Sequence, residues 1–388
     1  MAAQKQHAML VTRTHDEESR QAYYTAIRRH VAQNVAGGNR LVYTTQVEPA
    51  FTKTHGRKPA DRHEVREVMT KNATYQLYSA MQRHTQEMTF DCVIDSVERQ
   101  LPELIDRAKT ISGKTGGTLR TDPALPIPKY HTSYDIHLQP GGYHTEFAAN
   151  DVAEGALYDR ATYLYGMGSL GPTSELIGAS LIAYYKKLSP NAQPKRILDV
   201  GCTVGHSTLA WKRAFPDAEV YGIDVAAPVV RYAHARAEDL GVAIHFSQQN
   251  GEATDFPDGF FDVVVSHIIM HETSTRAAPR IFAETRRILA PGGMMLHMDN
   301  PRLGELPPLD GFLAEWEVFN NNELFGGTYR AADLVSIGRT AGWPAEQVMF
   351  DAVPLAIPPT VMNYQTKAVT FPCLVGRKDQ AVVRLAAE

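Results

Sequence analysis

In two neighbouring segments near the middle of the chain, residues that could bind a ligand stand at the ends of short apolar runs. The first reads Asp199-Val-Gly-Cys-Thr-Val-Gly205, and the run that follows it along the chain ends in Asp224. Glycines let the backbone turn sharply and approach a ligand closely. A carboxylate such as Asp224 offers two acceptor oxygens to the two hydroxyls of a ribose. The acidic residue that opens the loop favours a cationic or amino-bearing ligand over the diphosphate of a dinucleotide, whose usual loop is Gly-x-Gly-x-x-Gly.

The residues around these segments alternate between strand and helix patterns. Strands are predicted at 196–200, 219–224, 243–247, 262–266, 294–298, 347–353 and 368–376. Helices are predicted at 206–215, 226–240, 276–289 and 331–342. Such alternation predicts an α/β fold, a parallel sheet with helices on both faces. Ligands of such sheets bind at the carboxyl ends of the strands, near the point where the strand order reverses.

The ordered motifs of residues 150–300 resemble those of the class I S-adenosylmethionine-dependent methyltransferases, in particular the ubiquinone/menaquinone-biosynthesis-like, small-molecule branch. The glycine loop 199–205 is similar to the first motif of that family, with Thr203 in place of its usual middle glycine. The segments 250–252, 256–266 and 288–293 are similar to the later motifs. The resemblance implies a Rossmann-like seven-stranded methyltransferase sheet and S-adenosylmethionine as the cofactor.

The resemblance also implies which residues bind that cofactor. The glycine loop would border its methionine part, Asp224 its ribose and Asn250 its adenine amino group. The predicted cofactor-binding residues are Asp199, Gly201, Cys202, Gly205, Asp224, Asn250, Gly251 and Ser266.

Candidate catalytic residues follow the fourth predicted strand of the motif series and a Tyr/His-rich loop. His267 comes directly after that strand, where the resembled family faces the transferred methyl group, and an imidazole titrating near neutral pH suits a general base. His271 lies one turn further, and Tyr143 lies in the loop 130–144. The alternative is that His267 only lines the wall of the site. We predict His267, His271 and Tyr143 as the catalytic residues.

Asp299-Asn300 follows the next strand, and in this it resembles the catechol-type methyltransferases, which depend on a metal. Those enzymes also carry an aspartate after the preceding strand, where this chain has Ser266-His267. With that carboxylate missing, a hard ion such as magnesium loses its preferred ligand. We therefore predict no metal, although His267 and His271 stand four residues apart.

The first 120 residues predict helices. One helix is predicted from Thr14 to Val35, ended by Gly37-Gly38-Asn39, with a short strand or loop at 41–45. A second helical run is predicted over 59–108, broken near Gln86 and interrupted by Pro102. The predicted organisation is a helical cap or dimerisation region at 1–120, a linker and pocket loop at 121–149, and a methyltransferase domain at 150–388 with an insertion at 301–330.

Composition and charge argue against several classes of protein, namely nucleic-acid-binding, membrane and disulfide-rich proteins. A net charge of −4 argues against nucleic-acid or membrane-surface binding, and the net-basic residues 1–120 contain no tight Lys/Arg cluster with interleaved aromatic residues. Three scattered cysteines do not form a disulfide framework, and neither a signal peptide nor an apolar run of membrane-spanning length is found. These features predict a cytoplasmic enzyme, with a homodimer through the N-terminal helices.

The predicted function is methyl transfer from S-adenosylmethionine to a small organic acceptor, with oxygen or carbon as the favoured acceptor atom. One alternative is S- or N-methylation of a small thiol or amine metabolite. The other is a methyltransferase-like protein that binds the cofactor without transferring its methyl group. No nucleic-acid or membrane partner is predicted.

Overall fold

An eight-stranded sheet carries the central part of the chain in the computed structural model, which describes residues 3–355 and 370–382. In spatial order its strands are β1-β4-β3-β2-β5-β6-β8-β7. Their bounds are β1 Thr118–Arg120, β2 Arg196–Val200, β3 Glu219–Asp224, β4 His245–Gln248, β5 Phe261–His267, β6 Leu289–Met298, β7 Val348–Pro354 and β8 Thr370–Arg377. All neighbouring pairs from β1 to β6 are parallel, and β8 is antiparallel to both β6 and β7. The α/β fold class is confirmed.

Fifteen α-helices surround or extend this sheet in the described ranges. Their bounds are α1 His15–His30, α2 Gly37–Val42, α3 Glu48–His55, α4 Arg62–Met69, α5 Ala73–Ile111, α6 Lys129–Thr132, α7 Ala153–Tyr165, α8 Leu176–Leu188, α9 His206–Ala214, α10 Ala227–Asp239, α11 Ala277–Ile288, α12 Pro308–Ala314, α13 Trp316–Asn320, α14 Gly326–Ala331 and α15 Leu334–Thr340. Tested against the whole described part of the chain, none of the helices is long and apolar enough to cross a membrane.

The two faces of the sheet are covered by different helices because successive strand residues point to opposite sides. Val263 and Val265 of β5 pack in a core with α8, α9 and α10. Val264, between them, packs in a second core with α11 and α15. Helices on both faces are what a mostly parallel sheet requires, since both of its faces are apolar.

The N-terminal helices add a further layer on the side of α10. Tyr24 of α1, Val97 of α5 and Leu157 of α7 share a buried core with Val229 and Tyr232 of α10. A smaller core joins α4 and α5 to α12 and α13, so the N-terminal layer also contacts the predicted insertion. The layer is therefore packed against the sheet domain through apolar side chains.

A buried carboxylate ties this layer to the glycine loop. Asp159 of α7 accepts a hydrogen bond from Tyr232 Oη at 2.8 Å, and its other oxygen lies 2.8 Å from Nε2 of His206, the first residue of α9. Nε2 of His7 lies 3.0 Å from Asp159, and Nε of Arg236 lies 3.5 Å from it. Burial would raise the pKa of Asp159, but these cationic and donor groups hold it well below its ordinary value.

The strand count and the N-terminal boundaries differ from the predictions. The sheet has eight strands instead of seven because the end of the predicted helical region 1–120 forms β1, which pairs with β4 and becomes the edge of the sheet. The predicted strand at 368–376 begins outside the described residues, and its described part is β8.

Gly37-Gly38-Asn39 does not end the first helix, and residues 41–45 are helical. Short π-helical turns at Val31–Val35 and Tyr43–Val47 connect α1, α2 and α3. A Cβ on Gly38 would lie 3.3 Å from Thr74 Cγ2, so the glycine is used for the close approach of α2 to α5. Tertiary packing here outweighs the low helix propensity of glycine.

The second helical run breaks at residues 70–72 and not near Gln86. Asn72 caps α5 by accepting a hydrogen bond from Thr74 N at 2.9 Å. The helix then continues through Pro102, because the buried residues Val97, Leu104 and Ile105 hold both sides of it in the core. The prediction that Pro102 interrupts the helix was wrong.

The contact between α7 and α10 yields a test of this packing. A Cβ at Gly155 would lie 2.3 Å from Tyr232 Cβ. We expect Gly155→Ala to lower the free energy of unfolding by about 1–3 kcal/mol, the usual cost of overpacking a core, measured by urea denaturation. Gly37→Ala is the matched control, because nothing lies within 4 Å of its added methyl group. Equal stability of the two variants would contradict this packing.

Candidate active site

The glycine loop after β2 and the turn after β5 lie at the point where the strand order reverses. β2 has β3 on one side and β5 on the other, so the loops leaving β2 and β5 run apart at the carboxyl edge of the sheet. Gly201 and Gly205 have φ of 71° and 75°, which glycine adopts without strain. A Cβ on Gly201 would lie 2.9 Å from Ile269 Cγ1, so the turn after β5 covers the glycine loop.

Asp224 stands at the end of β3, beside this loop, with its carboxylate buried. Its Oδ2 accepts a hydrogen bond from Thr203 N at 3.1 Å, and its Oδ1 accepts one from Ala226 N at 3.0 Å. Burial raises the pKa of Asp224 to about 6, although these backbone N–H groups favour the ionised form. No basic side chain pairs with it in the described chain, so its carboxylate retains acceptor capacity for hydroxyl groups.

The other predicted cofactor-binding residues differ in how far their side chains are exposed to solvent. Asn250 is partly exposed, and its Oδ1 accepts a hydrogen bond from Glu252 N at 2.9 Å. A Cβ on Gly251 would lie 2.8 Å from Val200 Cγ1, so the chain at 250–252 lies directly against the end of β2. The Cys202 side chain is buried in the core between the glycine loop and β3.

Asp199 and Ser266 point away from the edge, into the fold. Asp199 Oδ2 accepts a hydrogen bond from Thr208 Oγ1 at 2.7 Å. Ser266 Oγ lies 2.7 Å from Nδ1 of the buried His297. Both side chains are at most 2% exposed, so they support the loops from inside and present no group at the surface of the site.

His267 is fixed on both sides of its ring. Its Nε2 accepts a hydrogen bond from Trp211 Nε1 at 3.2 Å, which places the ring proton on Nδ1, 3.1 Å from Asp199 Oδ1. Neither nitrogen is left for an acceptor molecule. This geometry corresponds to the alternative in which His267 is part of the wall.

A cluster of titratable side chains, here called the His–Glu cluster, consists of His137, His271, Glu272 and Glu323. His137 Nε2 lies 3.3 Å from Glu272 Oε1 and 3.2 Å from Glu323 Oε1. The other oxygen of Glu323, Oε2, lies 3.7 Å from His271 Nε2. The cluster brings together the loop 130–144, the turn after β5 and the insertion 301–330.

Outer partners hold the second nitrogen of each histidine in this cluster. His271 Nδ1 lies 2.7 Å from Asp299 Oδ1, and its backbone N–H donates to Asp299 Oδ2 at 3.0 Å. His137 Nδ1 lies 2.6 Å from the hydroxyl of Tyr143. The predicted residues His271 and Tyr143 therefore belong to one connected site, whereas His267 lies outside it.

The cluster raises the pKa of His271, Glu272 and the adjoining Tyr143, whereas His137 and His271 lower the pKa of Glu323. Burial alone would lower the pKa of His271, but Asp299 and Glu323 raise it to about 10. Burial raises the pKa of Glu272, against the favourable charges of His137 and His271. Burial likewise raises the pKa of Tyr143 well above its ordinary value. Opposed shifts among neighbouring groups are characteristic of sites that move protons.

The loop 130–144 contacts both the insertion 301–330 and the segment 250–252. Asn322 Nδ2 donates to Asp135 O at 2.8 Å, and Tyr130 Oη donates to Glu252 Oε1 at 2.9 Å. The ring of Tyr143 packs edge-to-face on Tyr158, which in turn stacks on His206 at the start of α9. The cluster is thus linked to the glycine loop by packed aromatic side chains.

Sequence reasoning did not select His137, Glu272 or Glu323 as site residues. The crowding of Tyr and His around Pro140 marked the loop of His137, and the run Asn320–Phe325 marked the insertion. Neither pattern indicated that these distant segments meet. A cavity of about 270 Å³ between α5 and the segment 140–157 contains none of the predicted site residues.

Comparison with known proteins assigns the central part of the chain. Residues 197–293 match the family model described as a methyltransferase domain. The chain is 34% identical over 126 residues to a demethylmenaquinone methyltransferase of Thermus thermophilus, a match that covers 32% of this chain and 54% of that protein. It is 26% identical over 184 residues to a ubiquinone/menaquinone biosynthesis C-methyltransferase of Bordetella avium, covering 46% of this chain and 70% of that protein.

A solved structure is also similar. Phosphoethanolamine N-methyltransferase 2 of Haemonchus contortus, in complex with phosphomonomethylethanolamine and S-adenosylhomocysteine, shares 16% identity at a TM-score of 0.41. The match covers 57% of this chain and 59% of that chain. A similarity at this level carries no functional argument. The chain spans about half the length of the first relative that it matches.

The role of His267 can be tested by stability. We expect His267→Phe to lower the free energy of unfolding by about 2–4 kcal/mol, because it leaves the buried Trp211 N–H and an Asp199 oxygen unpartnered. Urea denaturation measures the change. His245→Phe is the control, a partly exposed histidine in the strand β4. If His267→Phe were as stable as the wild type, the hydrogen bonds to Trp211 and Asp199 would not hold the ring in the wall of the site. His267 would then again be a candidate general base.

Proposed function

Because residues 197–293 form a class I S-adenosylmethionine-dependent methyltransferase domain, we propose that this chain methylates a small organic acceptor, with oxygen or carbon as the preferred acceptor atom. The observation that carries the proposal is the His–Glu cluster at the carboxyl edge of the sheet, beside the glycine loop. Titratable groups enclosed at this edge suit an acceptor that must lose a proton.

The residues at this edge fit the cofactor S-adenosylmethionine. Asp224 is a buried carboxylate without a basic partner in the described chain, as a pair of ribose hydroxyls would require. Gly201 and Gly205 hold the left-handed turns of the loop that would border the methionine part, and Asn250 lies at the edge for the adenine. When bound, the cofactor supplies an electrophilic methyl group on a sulfonium, which passes to the acceptor as S-adenosylhomocysteine leaves.

Glu272 is the proposed proton acceptor. It lies three residues after Ile269, which covers the glycine loop, and burial raises the pKa of its carboxyl group above its ordinary value. The only side-chain group paired with it in the described chain is His137, at 3.3 Å. In the transfer, the acceptor O–H or C–H bond breaks, its proton goes to Glu272, and the electron pair forms the new bond to the methyl carbon.

The other groups position this base. His137 fixes Glu272 and Glu323 through Nε2, and Tyr143 fixes the ring of His137. Asp299 orients His271 in the same way. In this proposal His271 and Tyr143 act through their neighbours, and His267 supports Asp199 inside the fold.

An amine acceptor is a second candidate. Glu272, Glu323 and Asp299 place three carboxylates around two imidazoles, and such an acidic site favours a cationic molecule. A screen that detects S-adenosylhomocysteine with phenols, quinols, carboxylic acids, thiols and amines as acceptors separates the candidates. Turnover with amines alone would replace the oxygen or carbon assignment.

The domain division and the assembly remain proposals. Residues 1–120 would serve as a cap, residues 121–149 as the pocket loop and residues 150–388 as the methyltransferase domain with its insertion at 301–330. The exposed apolar residues Tyr23, Leu41 and Leu77 of the N-terminal helices support a homodimer through that layer, and light scattering would measure it. A cytoplasmic location likewise stays a prediction.

Cofactor binding at Asp224 is testable by calorimetric titration with S-adenosylmethionine. We expect Asp224→Ala to weaken binding at least about 100-fold, because two hydrogen bonds to a buried carboxylate are lost. In the wild type, affinity should fall as the pH drops through about 6, since the proton bound below that pKa removes acceptor capacity. Asp258→Asn, an exposed carboxylate, is the control and should bind as the wild type does. Unchanged affinity of Asp224→Ala would exclude the ribose assignment.

The role of Glu272 is testable on whichever acceptor the screen identifies. We expect Glu272→Gln to lower kcat about 100-fold or more and to remove the rise of kcat with pH, while cofactor affinity stays within about threefold. Glu305→Gln, on an exposed turn, is the control. If Glu272→Gln kept the wild-type kcat and pH profile, another group would have to be the base.

A further inference from the structure

The His–Glu cluster has the arrangement of a metal site. We propose that His137 Nε2, His271 Nε2 and Glu323 together bind one divalent transition-metal ion of the zinc type, with Glu272 beside it. One candidate ligand atom from each of His137, His271 and Glu323 lies within 4.8 Å of the others. This departs from the prediction of no metal, and its ligand set differs from the one considered there on His267.

The distances between these atoms suit a small coordination sphere. Tetrahedral zinc with bonds of roughly 2.0–2.1 Å places its ligand atoms roughly 3.3–3.4 Å apart. His137 Nε2 and Glu323 Oε1 are 3.2 Å apart, and His271 Nε2 and Glu323 Oε2 are 3.7 Å apart. Glu272 Oε1 lies 3.3 Å from His137 Nε2, beside these candidate ligands. Each oxygen of Glu323 therefore faces one imidazole at a distance near the spacing of zinc ligands, and one ligand atom from each of the three residues lies within 4.8 Å of the others.

Glu323 supplies an independent observation. Its side chain is 3% exposed, and its Oε2 has no hydrogen-bond partner in the described chain although it faces His271 Nε2. A buried carboxylate oxygen without a partner is costly. A cation between Oε2 and His271 Nε2 would satisfy both atoms.

The hydrogen-bond partners on the second ring nitrogen of His137 and of His271 are also those expected of metal-binding histidines. Metal-binding histidines usually place their second ring nitrogen on a carboxylate or another polar group, which fixes the tautomer and the ring orientation. His271 has Asp299 in that place, and His137 has Tyr143. Asn300 Nδ2, 3.5 Å from His271 Nε2, is near enough to turn its amide oxygen towards the ion.

The charge and the donor types favour a divalent cation of borderline softness. Three carboxylates, Glu272, Glu323 and Asp299, surround two imidazoles, so a divalent cation compensates buried negative charge. Imidazole nitrogens select zinc, cobalt, nickel or iron over magnesium, which prefers oxygen ligands. In the proposed methyl transfer, an ion held by His137, His271 and Glu323 would supply Lewis-acid polarisation of an acceptor oxygen.

The test uses the full chain without an affinity tag, stripped with chelator and titrated with Zn²⁺ by calorimetry. We expect one Zn²⁺ per chain, a Kd raised at least about tenfold by Glu323→Gln, and no change in His144→Gln, a histidine of the same loop outside the cluster. Absence of binding by the wild type, or equal affinity of Glu323→Gln and the wild type, would overturn the proposal.

Cobalt provides a second readout that needs no variant, should Glu323→Gln fail to fold. Wild-type protein loaded with one equivalent of Co²⁺ should show the intense visible absorption of a four- or five-coordinate site. The weak absorption of octahedral Co²⁺ would indicate surface binding only and would overturn the proposal. The role of the metal in methyl transfer rests on the proposed function, but the zinc and cobalt readouts do not depend on it. Absence of S-adenosylmethionine binding would exclude the methyltransferase activity without affecting the evidence for the metal site.

Discussion

Buried carboxylates at the carboxyl edge of the sheet set the main constraint on this molecule. Asp199, Asp224 and Asp299 each lie at or beside the end of a parallel strand, and Glu272 and Glu323 join them from above. A buried charge is tolerated only when hydrogen bonds or opposite charges compensate it. The loops and added segments around this edge are arranged to supply that compensation.

The charge of each carboxylate is compensated in a different way. This difference distinguishes a carboxylate that only supports the fold from those that can still interact with a ligand. Asp199 is fully engaged by Thr208 and His267, so it holds the glycine loop from within. Asp224 has only backbone donors, which leaves capacity for a ligand. Glu272 and Glu323 face histidines whose remaining nitrogens are already held, and we propose that they form the reactive part of the site.

The N-terminal layer and the insertion are needed because the sheet alone cannot supply these partners. The loop 130–144 brings His137 and Tyr143, and the insertion brings Glu323. Asp159 ties α7 and the start of the chain to His206 at the start of α9, and apolar contacts join α4 and α5 to the insertion. The segments outside the matched residues 197–293 thus supply His137, Tyr143 and Glu323 of the site.

The sequence was sufficient to predict the sheet domain, because its signals are local. The strand ends at Val200 and Asp224 lie within a few residues of the sequence patterns that predict them. The His–Glu cluster could not be predicted, since His137 and Glu323 are brought together only by tertiary packing. The same reason explains the errors at Gly38 and Pro102, where contacts with α5 and the core outweigh residue propensity.

A crystal structure of the full chain with S-adenosylhomocysteine would test most directly that the glycine loop and the His–Glu cluster form one active site. We expect the ribose hydroxyls on Asp224 and the sulfur atom directed towards Glu272, with room between them for a small acceptor. A cofactor bound with its sulfur turned away from the cluster, or bound elsewhere on the chain, would contradict this arrangement.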